Sequence, residues 1–195
     1  MHPIIHRDLL EKITPYLRRK EFVAVVGPRQ AGKTTFIDIL SAHLQKTASV
    51  DSRAIQKITF EDRRVLQQFE KDPDLFTRSL FPSSVPAKDK KYLFIDEFQY
   101  ARHGGQKLKL LYDTQSSIKI FVTGSSSLDL KAQVGKYMVG RIFTFHLYPF
   151  NFHEYLKAKS SRLSALYEEK NNQLMSWLLG KKTKISPQKG QDAFA

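Results

Sequence analysis

Between Phe22 and Gly27 the chain reads FVAVVG, with no polar residue in the run. A short stretch that is apolar at every position predicts a strand covered on both faces. The same signature returns in YLFID (92–96), IKIFVTG (118–124) and RIFTFHL (141–147), and more weakly in AIQKITF (54–60). Helical spacing fills the intervals. Phe36, Ile37, Ile39, Leu40 and Leu44 make one apolar side from Gly32 to about Gln45. RRVLQQFEK (63–71) and QKLKLLYDT (106–114) predict two further helices, the first broken by DPD at 72–74. Ahead of the first strand, Leu9, Leu10, Ile13 and Leu17 recur at helical spacing. Pro15 interrupts them, and Thr14 is expected to cap a second short helix with Pro15 in its first turn.

Residues 81–91, with two prolines and several lysines, predict an exposed loop, and 127–140 a helix or loop. Strands joined by helical crossovers imply a parallel sheet with helices on both faces. After Pro149 the pattern weakens. FNFHEYLKAK predicts a helix, NNQLMSWLLG another, and 181–195 has the composition of a loose basic tail. The expected division is therefore a core over 1–150 and a smaller helical piece over 151–195.

Charge and composition narrow the chemistry. A formal net charge of +13 favours polyanions as partners: nucleotides, nucleic acid or an anionic surface. The chain has no cysteine, which excludes disulfides, thiolate catalysis and cysteine-ligated metals. No apolar run approaches the length of a membrane span. The early stretch HRDLLEKI carries acids where a secretion or transit signal would not, so a cytoplasmic protein is expected.

Four motifs carry the chemistry. GPRQAGKT fits G-x-x-x-x-G-K-[ST] through Gly27, Gly32, Lys33 and Thr34, between a buried strand and a helix. Loop N–H groups and the helix start suit phosphate, so Gly27, Pro28, Arg29, Gln30, Ala31, Gly32, Lys33, Thr34 and Thr35 are the expected nucleotide-binding residues. Lys33 is expected at the β- and γ-phosphates, and the Thr34 hydroxyl at Mg²⁺. In YLFIDEFQ, Asp96 ends a strand, where its carboxylate can hold the magnesium shell. Glu97 follows it as the base for a water attacking the γ-phosphate. VTGSSS offers Thr123, Ser125 or Ser126 to the phosphate or the water. Arg141, directly before the last strand, suits a cation presented to a neighbouring subunit's γ-phosphate.

With these in order the chain resembles the AAA+ ATPases. More narrowly, it is similar to the prokaryotic predicted-ATPase group in which an AAA domain precedes a C-terminal domain. The matching stretches are GPRQAGKTTF, YLFIDEFQ, LKLLYD, IFVTGSSSLDL and GRIFTFHLYPFNFHEYL, the last holding L-x-P-x-x-F-x-E. The resemblance implies a three-layer αβα P-loop fold with a parallel five-stranded sheet of order 5-1-4-3-2. It also implies ATP with Mg²⁺ and homo-oligomers assembled through the nucleotide site. It maps the P-loop lysine onto Lys33, the metal ligands onto Thr34 and Asp96, the catalytic acid onto Glu97, a sensor onto Ser125 and an arginine finger onto Arg141. Members show P-L-S-F where this chain has PFNF, and they normally continue into a helical lid and a second domain. Two other readings stand beside an ATPase: a P-loop kinase for a small molecule, and a non-catalytic nucleotide- or DNA-binding module.

Overall fold

A computed structural model describes residues 5, 7–125 and 135–180. Ser126, most of the segment expected as helix or loop at 127–140, and the basic tail at 181–195 lie outside the described residues. The described chain falls into two compact units. The larger runs from Leu9 to Pro149, and the smaller joins Arg7 and Asp8 to the chain from Phe150 onward.

The larger unit is built on one sheet. Its strands are β1 (Phe22–Val26), β2 (Ile55–Thr59), β3 (Lys91–Asp96), β4 (Ile118–Gly124) and β5 (Ile142–His146). Their order is β2-β3-β4-β1-β5 and every pairing is parallel, which is the expected order read from the other side. Alternation explains why the strands are apolar throughout. Phe22, Ala24 and Val26 of β1 join one core, and Val23 and Val25 join the other. The first core is closed by α3 (Arg63–Lys71), α4 (Pro73–Ser79) and α5 (Gly104–Thr114), through Phe69, Phe76, Leu108 and Leu111. The second is closed by α1 (Leu9–Ile13) and α2 (Lys33–Ala48), through Ile13, Phe36, Leu40 and Leu44. The protein therefore has the three-layer α/β P-loop fold.

One local expectation changes. Thr14 is not a cap: its hydroxyl donates back to the Leu10 carbonyl at 2.7 Å, inside a 3₁₀ turn over Thr14–Tyr16. The DPD stretch ends α3 as expected, and a further short helix follows at once. Asp72 accepts from the Leu75 N–H at 2.9 Å and caps α4, with Pro73 in its first turn.

The smaller unit is a helical pair, α6 (Phe152–Lys159) and α7 (Ser161–Leu178). Helix α7 begins well before the stretch expected at 171–180, because Ser160 caps it at the Leu163 N–H. Glu154 is its buried centre. Its carboxylate accepts from the Asn151 N–H at 3.0 Å as half of a capping box. It also accepts from the Asp8 N–H at 2.9 Å and from Arg7 Nε at 3.1 Å. That is why Arg7 and Asp8 belong with this unit rather than with a core over 1–150.

One core residue is costly. Lys119 of β4 is fully buried, and its Nζ donates to the Glu21 carbonyl. Burial, then the charges of Lys90 and Arg19, push it down to about 7, against the opposing pull of Glu21. The unfolded chain keeps this proton up to about 10.5, so between the two values unfolding takes up a proton and stability rises with pH. Lys119→Met is therefore expected to stabilise the protein at pH 7, with the gain shrinking by about 1.4 kcal/mol per pH unit toward pH 10. Urea unfolding of both proteins across that range checks this. A gain that does not change with pH would show that the charge is not the cause.

Candidate functional site

The site forms where β1, β3 and β4 end. After Val26 the chain turns at Gly27, and a Cβ there would lie 2.1 Å from the Leu147 carbonyl oxygen. The first loop glycine is thus required because the end of β5 passes against it: the Leu147 N–H donates to the Val26 carbonyl at 2.8 Å. Gln30 (φ 64°) and Gly32 (φ 84°) are both left-handed, a backbone that turns N–H groups into a concavity. Helix α2 then starts with Gly32 as its N-cap. No side chain caps it, and its first turn holds no acid, so its N-terminal N–H groups have no protein acceptor built for them.

A cavity of about 470 Å³ lies at this helix start. Arg29, Gln30, Gly32, Lys33, Thr34 and Thr35 line one side, with Glu61, Glu97 and Tyr100 also in the lining. Of the nine loop residues expected to bind nucleotide, Gly27, Pro28 and Ala31 are not in this lining. Pro28 accepts from the Ala31 N–H at 3.3 Å, and Ala31 is packed in the core. Lys33 Nζ donates to the Gly27 and Pro28 carbonyls at 3.2 and 3.1 Å. Of its three donors, these contacts use two.

The acids lie beside the lysine. Thr34 Oγ1 donates to Asp96 Oδ2 at 2.6 Å. Thr123 Oγ1 donates to the other oxygen, Oδ1, which also accepts from the Glu97 N–H at 3.1 Å. Glu97 adopts φ 54°, and its N–H also reaches Thr123 Oγ1 at 3.2 Å. Thr123, one of the residues expected at the phosphate, is thereby engaged by Asp96 and Glu97. Ser125 is reached by Gln99, whose Nε2 donates to Ser125 Oγ at 3.2 Å and to Glu97 Oε2. Gln99, Glu61 and Tyr100 are the residues that sequence reasoning missed. Gln99 stood in plain view in the DEFQ stretch, but nothing in its spacing says that it bridges two strand ends.

Arg141 does not join this group. It precedes β5, at the opposite edge of the parallel sheet, a strand length of about 17 Å away. Its Nε lies 3.8 Å from Asp113, and its guanidinium lies over the Tyr112 ring.

The donor set suits a magnesium nucleotide. An uncapped helix start, an amine and an adjacent hydroxyl–carboxylate pair are the groups that phosphate and its cation require. Among the described residues no three His, Cys, Asp or Glu side chains gather as a closed metal cage. Magnesium bound through one or two protein ligands and phosphate oxygens needs none.

The chain belongs to the AAA domain family: a family model of that description matches residues 19–156. It is 30% identical over 168 residues to an uncharacterized protein of Methanocaldococcus jannaschii, covering 83% of this chain and 33% of that one. It is 29% identical over 155 residues to an uncharacterized protein of Haemophilus influenzae, covering 76% and 38%. The chain thus spans about a third of the length of these relatives. Among solved structures it is similar to Caenorhabditis elegans PCH-2, at 16% identity and a TM-score of 0.44, over 90% of this chain and 45% of that one. The larger unit is therefore a nucleotide-binding module of the AAA type. No helix among the described residues is long and apolar enough to cross a membrane.

Thr123 supports Asp96 from behind, so where Asp96 holds the cation of a bound nucleotide, the loss of Thr123 should be felt through that cation. Thr123→Val is expected to weaken magnesium-dependent nucleotide binding about 10–100-fold, the usual cost of removing a partner behind a metal ligand. Binding without magnesium should hardly change. Titration of a fluorescent ATP analogue with and without Mg²⁺ separates the two. Equal losses in both would mean that Thr123 merely supports the fold.

Proposed function

We propose that this protein binds ATP with Mg²⁺ at the 27–35 loop, hydrolyses it, and uses the cycle to drive a partner in the cytoplasm. The observation that carries the reading is the direct Thr34–Asp96 hydrogen bond beside Lys33. It joins the helix start to the strand end at the point where a phosphate-bound cation belongs. Lys33 supplies positive charge to the β- and γ-phosphates by exchanging loop carbonyls for phosphate oxygens. Thr34 and Asp96 would hold the magnesium, which when bound neutralises phosphate charge. Glu97 accepts the proton of the attacking water. Gln99 fixes the Glu97 carboxylate and ties it to Ser125, the residue proposed to sense the phosphate.

Two substitutions test this. Lys33→Ala should lose tight ATP binding. Glu97→Gln should bind ATP normally and turn it over about 10²–10⁴-fold more slowly, the usual worth of a general base. Unchanged affinity in the first, or an unchanged rate in the second, would sink the corresponding role.

Arg141 is proposed to serve a neighbouring subunit, because its own loop is out of its reach. Such a residue contributes about 10³–10⁵ in rate. Arg141→Ala should bind ATP and hydrolyse it slowly. Mixing it with Glu97→Gln should restore activity, because one interface then holds an intact arginine and an intact glutamate. No recovery in mixtures shown to co-assemble would leave Arg141 as the structural partner of Asp113.

A further inference from the structure

The parallel sheet gathers all strand starts at the edge remote from the phosphate loop. Cations crowd that edge. Lys88 and Lys90 precede β3, Lys119 is the second residue of β4, and Arg18, Arg19 and Lys20 precede β1. The strand order makes β3, β4 and β1 neighbours, so the segments that lead into them share this edge. Tyr92 pairs with Lys119, and Lys119 Nζ reaches the Glu21 carbonyl. With strands about 4.8 Å apart, the three strand starts span about 10 Å. A cleft of about 450 Å³ opens at this edge, with Arg18, Lys88, Lys90 and Tyr92 in its lining.

These cations differ from others in the same unit. Arg53, Lys57, Arg78 and Arg141 each have an acidic partner. Among the described residues, Arg18, Arg19, Lys20, Lys88 and Lys90 have no acid within ion-pair distance. Their repulsion is felt at Lys119, whose proton affinity burial lowers and Lys90 lowers further, by more than Glu21 raises it. Nearby negative charge is too small to offset them. Asp51 is committed to Arg53. The C-terminal end of α2, at the cleft, carries about half a unit. Glu21 and Asp89 remain, against five cations.

We propose that this edge is a second anion site, built for the phosphate backbone of a nucleic-acid duplex and separate from the nucleotide loop. The cations are spread along this edge: Arg18, Lys88 and Lys90 line the cleft, Arg19 lies over the Tyr16 ring and Lys20 over the Tyr112 ring. Such a spread matches a polyanion with about one charge per 1.7 Å of axis better than it matches a single phosphate. Recognition is independent of base sequence, because the groups along this edge are cations that meet phosphates rather than base edges. The site stands whether or not the loop hydrolyses ATP.

Fluorescence anisotropy of a short labelled DNA duplex with the full chain, at rising salt, tests it. Affinity should fall steeply with salt. Combining Arg18→Ala, Lys88→Ala and Lys90→Ala should weaken binding more than about tenfold and flatten the log–log salt slope by about 2–3. Combining Arg63→Ala, Lys109→Ala and Lys136→Ala removes the same charge from exposed positions away from the cleft and should cost far less. Lys33→Ala should leave duplex binding unchanged. The replaced side chains are exposed or half-buried, and matched melting temperatures check that both triple variants fold. Should one not fold, Lys88→Ala alone should still weaken binding measurably. Equal losses in the two triple variants would overturn the site, as would absence of salt-dependent binding. Saturable binding of inorganic phosphate without duplex binding would overturn the polyanion assignment. So would binding of phosphatidylserine vesicles but not of duplex.

Discussion

Asp96 is the joint on which the site depends. A carboxylate buried this deeply must have its oxygens hydrogen-bonded. The donors come from three places: Thr34 on α2, Thr123 on β4, and the next backbone N–H in its own chain. Satisfying one side chain therefore ties the start of α2 to the ends of β3 and β4. The left-handed turn at Glu97 follows from the same constraint. A non-glycine residue there costs about 1–2 kcal/mol. It persists because its N–H meets both Asp96 and Thr123, and the turn brings the Glu97 side chain to the cavity.

Much of this was legible in the sequence, for identifiable reasons. Strands buried on both faces leave unbroken apolar runs, so the strands were visible, while the sheet order came with the family resemblance. Helix α4 was hidden because Asp-Pro-Asp reads as a breaker when its first two residues are in fact a cap and a first turn. Helix α7 was half hidden because polar residues dilute its first turns, and its Ser160 cap is visible only once the helix is known. At the site, spacing along the chain revealed the loop and the Asp96–Glu97 pair. It did not reveal Gln99, whose role depends on β3 and β4 ending side by side. The L-x-P-x-x-F-x-E motif was legible as a signature but not as physics. Leu147 presses its backbone on Gly27, and Glu154 satisfies three donors in the helical unit.

The two edges of the sheet follow different electrostatic rules. At the strand ends, Lys33, Asp96 and Glu97 each have a hydrogen-bond partner, and the loop that holds Lys33 also satisfies it. At the strand starts, like charges sit together, and one of them is buried in the core. Sheet stability does not ask for that arrangement. A methionine at 119 would fill β4 without desolvating an amine. The apolar layers on both faces are large enough to carry the penalty.

Helix α2 runs from one edge to the other, about 24 Å for its 16 residues. Its two ends are treated unequally. At the C-terminus, Ser49 turns left-handed and donates to the Leu44 carbonyl, and Lys46 lies in the last turn, where a cation suits the helix dipole. At the N-terminus the chain places a glycine and no acid. A serine or aspartate cap in place of this glycine would add only about a few tenths of a kcal/mol to a helix judged only by its own stability. A cap would also fill the N–H groups that line the cavity. The helix can forgo it because Phe36, Ile37, Leu40 and Leu44 anchor it to the sheet through a face buried almost completely. Packing along its length thus leaves the first turn free to hold an anion that the protein itself does not supply.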